Sequence, residues 1–167
     1  MNTIQNGIWA GLLATGPMTL AMFALQKKLP SEEKSPLPPA TLTTQITEQV
    51  GIDQHLSRNR REDLTMLSHF AYGAVSGIIY SYALKKIHAR PLLKGSLFGL
   101  GIWAVSYLGW IPVSGLRANA FKMPARRNGL MILAHLIWGV SIAFSEKEMR
   151  QSGDQMLDGH GKARQAE

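Results

Sequence analysis

The chain has 167 residues, 46% of them apolar, no cysteine and a formal net charge of +7. The length suits one domain, and the absence of cysteine excludes disulfides, thiol catalysis and cysteine-ligated metals. Between Asp63 and Glu146 every charged side chain is basic, and each lies in a short stretch between long apolar runs. A basic balance can indicate nucleic-acid binding, but this placement is typical of loops that meet anionic headgroups. We therefore expect partners in the lipid bilayer and its anionic phospholipids, and no nucleic acid.

Four apolar runs follow one another along the chain, at residues 7–26, 64–84, 95–113 and 128–145. Each has about the 20 residues that an α-helix needs to cross the hydrocarbon core. None carries the full polar stripe of a helix in a soluble bundle. The sequence therefore predicts an all-α fold, an integral membrane bundle of four transmembrane helices within residues 1–150. The first run is too long for the apolar core of a cleavable signal peptide, so we expect it to be retained.

The longest connection, residues 27–63, begins with a Pro-rich stretch that we expect to be extended. Leu42, Ile46 and Val50 are then spaced four apart, which predicts a short amphipathic helix over residues 41–56. This helix either lies on the membrane surface or packs on the end of the bundle. The tail at 151–167 is rich in Gly, Gln and charge, and we expect it to be disordered.

An internal repeat relates the two halves of the chain. Residues 60–73, RREDLTMLSHFAYG, align without a gap to residues 126–139, RRNGLMILAHLIWG, with six identities that include both arginines, the histidine and the glycine. Glycine pairs spaced four apart also open the first and third runs. We infer two tandem helical-hairpin repeats related by an axis along the membrane normal. This arrangement places His69 and His135 at the same depth.

His69 and His135 are the only ionisable side chains well inside the apolar runs, so they are the leading candidates for a binding site. Helical spacing places Tyr72 beside His69 and Trp138 beside His135. The simplest role is an interhelical hydrogen bond. A pair of axial ligands to haem b and a pH-responsive pair stay open. A metal site is less favoured because no carboxylate or cysteine could join the pair, so we expect no metal and no cofactor besides that haem alternative.

Glycines and arginines complete the set of candidate residues. Small residues spaced four apart let helices approach closely, which predicts helix contacts at Gly73, Gly77, Gly95, Gly99 and Gly139. Paired arginines about two turns from the histidines either reach lipid headgroups or capture an anionic lipid or solute; these are Arg60, Arg61, Arg126 and Arg127. No nucleotide-binding, metalloprotease or hydrolase motif is present, so no catalytic residue is predicted and an enzyme is not favoured.

Three segments resemble the YagU-like family of small bacterial inner-membrane proteins. They are Pro-Leu-Pro-Pro at 36–39, the Gly-rich third run that ends in a proline, and GLMILAHLIWG at 129–139. The resemblance covers most of residues 7–150. It implies a multi-pass protein of the bacterial inner membrane, linked to acid tolerance, with both termini in the cytoplasm. The lysines and arginines of the loops give no clear bias in orientation.

Three functions follow from the sequence. The first is a non-enzymatic membrane protein that supports envelope or pH homeostasis as a pathway for a small solute or protons. The second is a haem-binding redox protein that uses the histidine pair. The third is a structural or partner-binding subunit in which the histidines only pack, and homo-oligomerisation stays open.

Overall fold

The computed structural model describes residues 2–116 and 122–164, with side chains up to residue 152. Every regular element in these ranges is helical, which confirms the all-α class. The helices are α1 (Thr3–Lys27), α2 (Pro38–Val50), α3 (Arg58–Ala83), α4 (Pro91–Ala104), α5 (Ile111–Val113) and α6 (Ala125–Arg164). A π-helical segment, Val105–Trp110, joins α4 to α5. Short 3-10 turns at Ser31–Glu33 and Asp53–His55 flank α2.

The Pro-rich stretch is not extended throughout, so that expectation is wrong at the 3-10 turn Ser31–Glu33 and at the C-terminal end of the stretch. Pro38 and Pro39 form the first turn of α2. Proline is tolerated there because the N–H that it lacks has no partner inside a helix. The helix ends at Val50, where Gly51 adopts a left-handed φ of 77° and stops the helix in the usual way.

The long helices lie side by side in the order α3, α1, α6, α4. Helix α1 packs on both α3 and α6, and α4 packs on α6. The centre is filled by small side chains, because Ala10 and Ala14 of α1 and Ala134 of α6 are fully buried. Helices α3 and α4 occupy the two edges. In the described parts of the chain they have no contact comparable with that between α1 and α6.

Glycines set the close approach of α1 and α3. A Cβ placed on Gly77 would overlap the carbonyl oxygen of Gly7 and would lie 2.8 Å from the Gly11 nitrogen. A Cβ on Gly11 would overlap the carbonyl of Gly73. These two helices therefore touch through their backbones, a distance that only glycine permits.

A second glycine contact joins α4 and α6. A Cβ on Gly139 would overlap the carbonyl oxygen of Gly95 and would lie 2.8 Å from the Gly99 nitrogen. A Cβ on Gly99 would overlap the carbonyl of His135. The helix pairs α1/α3 and α4/α6, which we call the two hairpins, thus both pack through the backbones of glycines.

The outward faces of the bundle are apolar. Leu13, Leu20, Val75 and Leu97 are large hydrophobic residues with most of their surface exposed. Such a surface is costly in water and suits contact with lipid. The outward faces therefore indicate a bundle that sits in a membrane.

Three stretches in the described part of the chain are long and apolar enough to cross a membrane: Thr3–Lys27, Pro91–Val113 and Ala125–Ser152. Helix α3 is not among them, because its apolar part also carries polar side chains, including Ser68, His69 and Ser76.

Helix α6 continues to Arg164 and includes most of the segment for which the sequence predicts a disordered tail. Residues 165–167 lie outside the described ranges. At this end of the bundle the Glu146 carboxylate is buried and accepts two hydrogen bonds from Arg150, both at 2.7 Å. We call this the Glu146 end, and the opposite one the α2 end.

Candidate functional site

A cavity of about 280 Å³ lies in the half of the bundle nearest the α2 end. It occupies the space between α3 and α4, which do not pack together as α1 and α6 do. We call it the inner cavity. All four candidate binding residues lie in its wall: His69, Tyr72, His135 and Trp138. The rest of the wall comes from all the long helices and from α2: Thr15, Met18, Met22, Pro38, Pro39, Leu42, Thr43, Ile46, Thr47, Leu64, Ser68, Gly73, Ile102, Ser106, Tyr107, Trp110, Ile111 and Met131.

Three aromatic rings lie next to the inner cavity on the side of the Glu146 end. The Tyr80 ring meets the edge of Phe98 with centroids 5.1 Å apart, and Phe98 stacks on Trp138 at 5.8 Å. These rings come from α3, α4 and α6, so they bridge the three helices. The Trp138 Nε1–H also donates to the Thr15 hydroxyl on α1 at 3.3 Å. We call the three rings the aromatic plug, since they fill the core between the cavity and the Glu146 end.

Helix α2 covers the inner cavity at the opposite side. Leu42 and Ile46 of its apolar face are part of the wall, and Thr43 and Thr47 are buried. The Thr43 hydroxyl shares a hydrogen bond of 3.1 Å with Ser68 on α3. Of the two sequence-based alternatives, the structure therefore has α2 packed on the bundle, where it forms a lid.

Two arginines fasten the connection that carries the lid. Arg127, which is buried, donates to the carbonyl oxygens of Glu33 and Ser35 at 3.1 Å and to that of Pro36. Arg61 pairs with Asp53 at 2.9 Å. Bonds of this kind are stronger than neutral ones because one partner is charged.

The repeat-equivalent arginines divide into two kinds. Arg61 and Arg127 bind the protein's own loop, whereas Arg60 and Arg126 are exposed. The first two hold the lid, and only the exposed two are free to reach lipid headgroups or an anionic solute. The sequence repeat contains all four but does not show this division.

The two histidines differ in their hydrogen bonding. His135 is buried, and its Nδ1 lies 2.7 Å from the carbonyl oxygen of Met131 on the preceding turn. A carbonyl can only accept, so Nδ1 carries the hydrogen. His69 is half-buried, and its Nε2 is a buried atom without a hydrogen-bond partner. Within the described residues, no group of three or more His, Cys, Asp or Glu could hold a metal ion.

One hydrogen bond links α3 to the segment after α4 at the front of the inner cavity. The Tyr72 hydroxyl on α3 and the Ser106 hydroxyl in the π-helical segment are 3.0 Å apart. In the same segment the Tyr107 hydroxyl donates to the sulfur of Met131 at 3.1 Å. Gly109 in this segment has non-helical dihedral angles, φ −107° and ψ −108°, so the chain is kinked between α4 and α5.

The sequence does not predict that Ser106, Tyr107 and the lid residue Leu42 belong to the candidate site. Ser106 lies in an apolar run where a serine gives no periodic signal. The segment Val105–Trp110, which carries both side chains, is irregular, and its sequence does not predict that irregularity. The spacing of apolar residues predicts Leu42 on the apolar face of α2. It does not show that this face covers a cavity formed by the other helices.

These features define a class: an all-α membrane protein with several helices long and apolar enough to cross a membrane, around an internal cavity. Residues 18–144 match the family described as a protein of unknown function, DUF1440, and the chain belongs to that uncharacterised family. No curated protein and no solved structure matches the chain.

Proposed function

We propose that this protein binds a small, neutral, mainly apolar molecule inside the membrane, in the inner cavity between its hairpins. The observation that carries the proposal is the cavity itself. At about 280 Å³ it is close to the lower end of the range of small-molecule sites, about 300–1,000 Å³. Its wall is mostly apolar and has few polar groups, as such sites usually do.

The charge of the wall supports a neutral ligand. Among the described residues that form it there is no Asp, Glu, Lys or Arg. A charged molecule would lose its hydration there without gaining an opposite charge, which is costly in an apolar site. His69 lines the cavity, and its Nε2 is buried without a partner, which is unfavourable. A small rotation of the ring would let Nε2 hydrogen-bond a polar group of the ligand.

The surroundings of the cavity favour binding over a continuous channel. The aromatic plug lies between the cavity and the Glu146 end, and the lid covers the α2 end. A water-filled or proton path would need polar groups through the plug. A site covered towards both ends of the bundle suits a protein that holds a solute, as a binding protein does or a carrier between two open states.

The proposal includes a membrane arrangement. We place α3 across the membrane with the three more apolar helices, because its 26 residues run along α1. The chain would then have four spans in two tandem hairpin repeats. We place it in the bacterial inner membrane, as the resemblance to YagU-like proteins implies, where a histidine-lined site would suit a role in acid tolerance.

Purification in a mild detergent, followed by mass spectrometry of small molecules released on unfolding, tests the binding proposal. We expect one class of neutral, lipid-soluble compound at near-equal molar ratio to the protein. Replacing Leu42 by Trp fills the cavity from the lid and should remove the compound. Val50→Trp, on the same helix at a residue that is 67% exposed, is the matched control and should retain it.

Two outcomes would overturn the proposal. One is wild-type protein that contains no such compound and binds none when neutral lipids are added. The other is equal occupancy in the Leu42→Trp and Val50→Trp variants. A Soret absorbance band would instead support the haem alternative.

A further inference from the structure

The inner cavity is least enclosed between α3 and α4. The opposite side is closed by the packing of α1 against α6, while α3 and α4 contact each other through side chains, Tyr72 with Ser106 beside the cavity and Tyr80 with Phe98 in the aromatic plug. Tyr72 and Trp110 form part of the wall and are also 42% and 40% exposed. The cavity therefore comes close to the outer surface of the bundle at this place.

The residues around the gap between α3 and α4 suit lipid rather than water. Leu67 and Val105, next to the wall residues Ser68 and Ser106, are large apolar side chains with most of their surface exposed. The α2 end differs, because Glu62 and Asp63 are exposed there beside a second cleft. A molecule dissolved in the bilayer would meet an apolar surface at the α3/α4 gap, and one dissolved in water would meet charge at the α2 end.

The cavity also defines the size and chemistry of its ligand. A volume of about 280 Å³ holds roughly nine or ten non-hydrogen atoms, at about 30 Å³ each, the share of a water molecule in the liquid. The wall is apolar except for a few hydroxyls and imidazoles, and the unpartnered atom is the Nε2 of His69. These features fit a hydrocarbon with one uncharged hydroxyl or carbonyl head group.

We propose that the ligand is such a neutral amphiphile and that it reaches the cavity from the bilayer, through the gap between α3 and α4. Its head group would bond to His69, and any longer tail would pass out through the gap into lipid. The hydrogen bond between Tyr72 and Ser106 would be the latch of this gap. This inference rests on the proposed function and adds to it the ligand class and the route.

A fluorescence experiment in lipid nanodiscs tests the route by which the ligand enters the cavity. The probe is a terminally brominated octanol, since bromine quenches tryptophan on contact. Trp138 is 2% exposed and lies in the cavity wall, so a variant with Trp138 alone, its other three tryptophans replaced by Phe, reports arrival in the cavity. A variant with Trp9 alone, which is 52% exposed, reports arrival in the bilayer.

The chain has no cysteine, so each of the two routes can be closed by engineered pairs. Tyr72→Cys with Ser106→Cys, bridged by a short bis-methanethiosulfonate, closes the α3/α4 gap. Thr43→Cys with Ser68→Cys, whose hydroxyls are 3.1 Å apart, forms a disulfide that fastens the lid. Each reduced pair is the reference for its own oxidised or bridged form.

We expect the bridge across the gap to slow Trp138 quenching at least about tenfold, equal to about 1.4 kcal/mol in the barrier. The lid disulfide should leave the rate nearly unchanged, and Trp9 quenching should be the same in all forms. Tyr72→Phe, which removes only the latch hydroxyl, should speed quenching. Brominated octane, which has no head group, and charged brominated octanoate should both quench Trp138 less at equal bilayer concentration.

The outcomes separate this inference from the proposed function. If the lid disulfide slows quenching and the bridge does not, the ligand comes from water and the route is wrong. If neither changes the rate, the gap is no route and the inference fails while binding stands. If brominated octane matches the octanol, the head-group assignment fails. If no probe reaches Trp138 in the reduced proteins, the proposed function itself fails.

Discussion

Both hairpins pack through the same kind of glycine contact. The position of that contact within the sequence repeat, however, differs between the two. In α1/α3 the Cβ position of Gly77 faces the Gly7 carbonyl, and in α4/α6 that of Gly139 faces the Gly95 carbonyl. The sequence alignment, however, pairs Gly139 with Gly73. The packing of one hairpin is therefore displaced by four residues, about one helical turn, relative to the repeat.

This displacement gives the two histidines different surroundings. The His135 backbone lies in the tight contact with Gly99, where the first hairpin has Gly73 against Gly11. His69 lies one turn beyond that contact, is only half-buried and keeps an unpartnered Nε2. The comparison teaches that equal residues of a repeat need not have equal roles. With a shift of one turn, the His135 ring is bonded to the Met131 carbonyl, whereas the His69 Nε2 has no hydrogen-bond partner.

The largest expected effect comes from adding one methyl group at the displaced contact. Gly77→Ala and Gly139→Ala should each destabilise the protein by about 3 kcal/mol, since the new Cβ would overlap a backbone carbonyl and overpacking costs about 1–3 kcal/mol or more. Gly73→Ala should cost less, because its Cβ would meet the Thr15 side chain first. Thermal unfolding in detergent measures the difference.

Gly101→Ala is the control for that series. A Cβ at Gly101 has open space around it, so alanine should stabilise α4 by about 0.5–1 kcal/mol through its better helix propensity. An effect of Gly73→Ala equal to that of Gly139→Ala, with Gly77→Ala harmless, would show that the hairpins follow the sequence repeat after all.

The next largest effect is expected on the attachment of the lid, when Arg127 and its equivalent in the repeat, Arg61, are replaced. Arg127→Gln should release the lid, because it removes a buried guanidinium from three carbonyl oxygens, and bonds to charged groups contribute about 1.5–3 kcal/mol. Arg61→Gln should do less, since a partly exposed ion pair contributes about 1 kcal/mol or less. Hydrogen exchange of residues 31–50 reports the release. Arg126→Gln and Arg60→Gln are the controls, and protection lost equally in all four variants would contradict the assignment.

A smaller effect should distinguish the two histidines, since replacing one is expected to lower ligand affinity and replacing the other to lower stability. His69→Leu should weaken binding of the brominated octanol about tenfold, because a lost hydrogen bond contributes about 0.5–1.5 kcal/mol. His135→Leu should reduce thermal stability more than His69→Leu does, since it breaks the bond to the Met131 carbonyl. Equilibrium quenching of Trp138 and thermal unfolding of both variants give the two values. Equal changes in both quantities would show that the hairpin displacement does not distinguish the histidines.

The smallest expected effect is on pH dependence. His69 shares the inner cavity with His135, Tyr72 and Tyr107. It shares the second cleft, at the α2 end, with Glu62 and Asp63. Protonating a histidine adds a charge that favours water over an apolar ligand. Affinity for the brominated octanol should therefore fall severalfold from pH 7 to pH 5. The His69→Gln, His135→Gln double variant should show a flat profile, and an equally flat wild type would leave the histidines without a role in acid.

The sequence predicted the all-α class, because apolar runs of helical length leave little choice in a membrane. It also selected His69, Tyr72, His135 and Trp138, since polar and aromatic groups stand out against those runs. It could not predict the cavity. The separation of α3 from α4 depends on side chains such as Phe98 and Tyr80 that meet across helices. The displacement of the hairpins depends on which glycines touch, and Gly73 and Gly77 are alike in the sequence.

The fastening of the lid has a consequence for biosynthesis. Arg127 binds carbonyl oxygens that precede it by 91 to 94 residues. A chain made from its N-terminus completes α1, α2 and α3 before Arg127 leaves the ribosome. During that time α2 can already pack on α3, but the loop before it lacks the Arg127 anchor. The lid is therefore fastened only at the end of membrane insertion, and a chain truncated before α6 would carry the lid without that anchor.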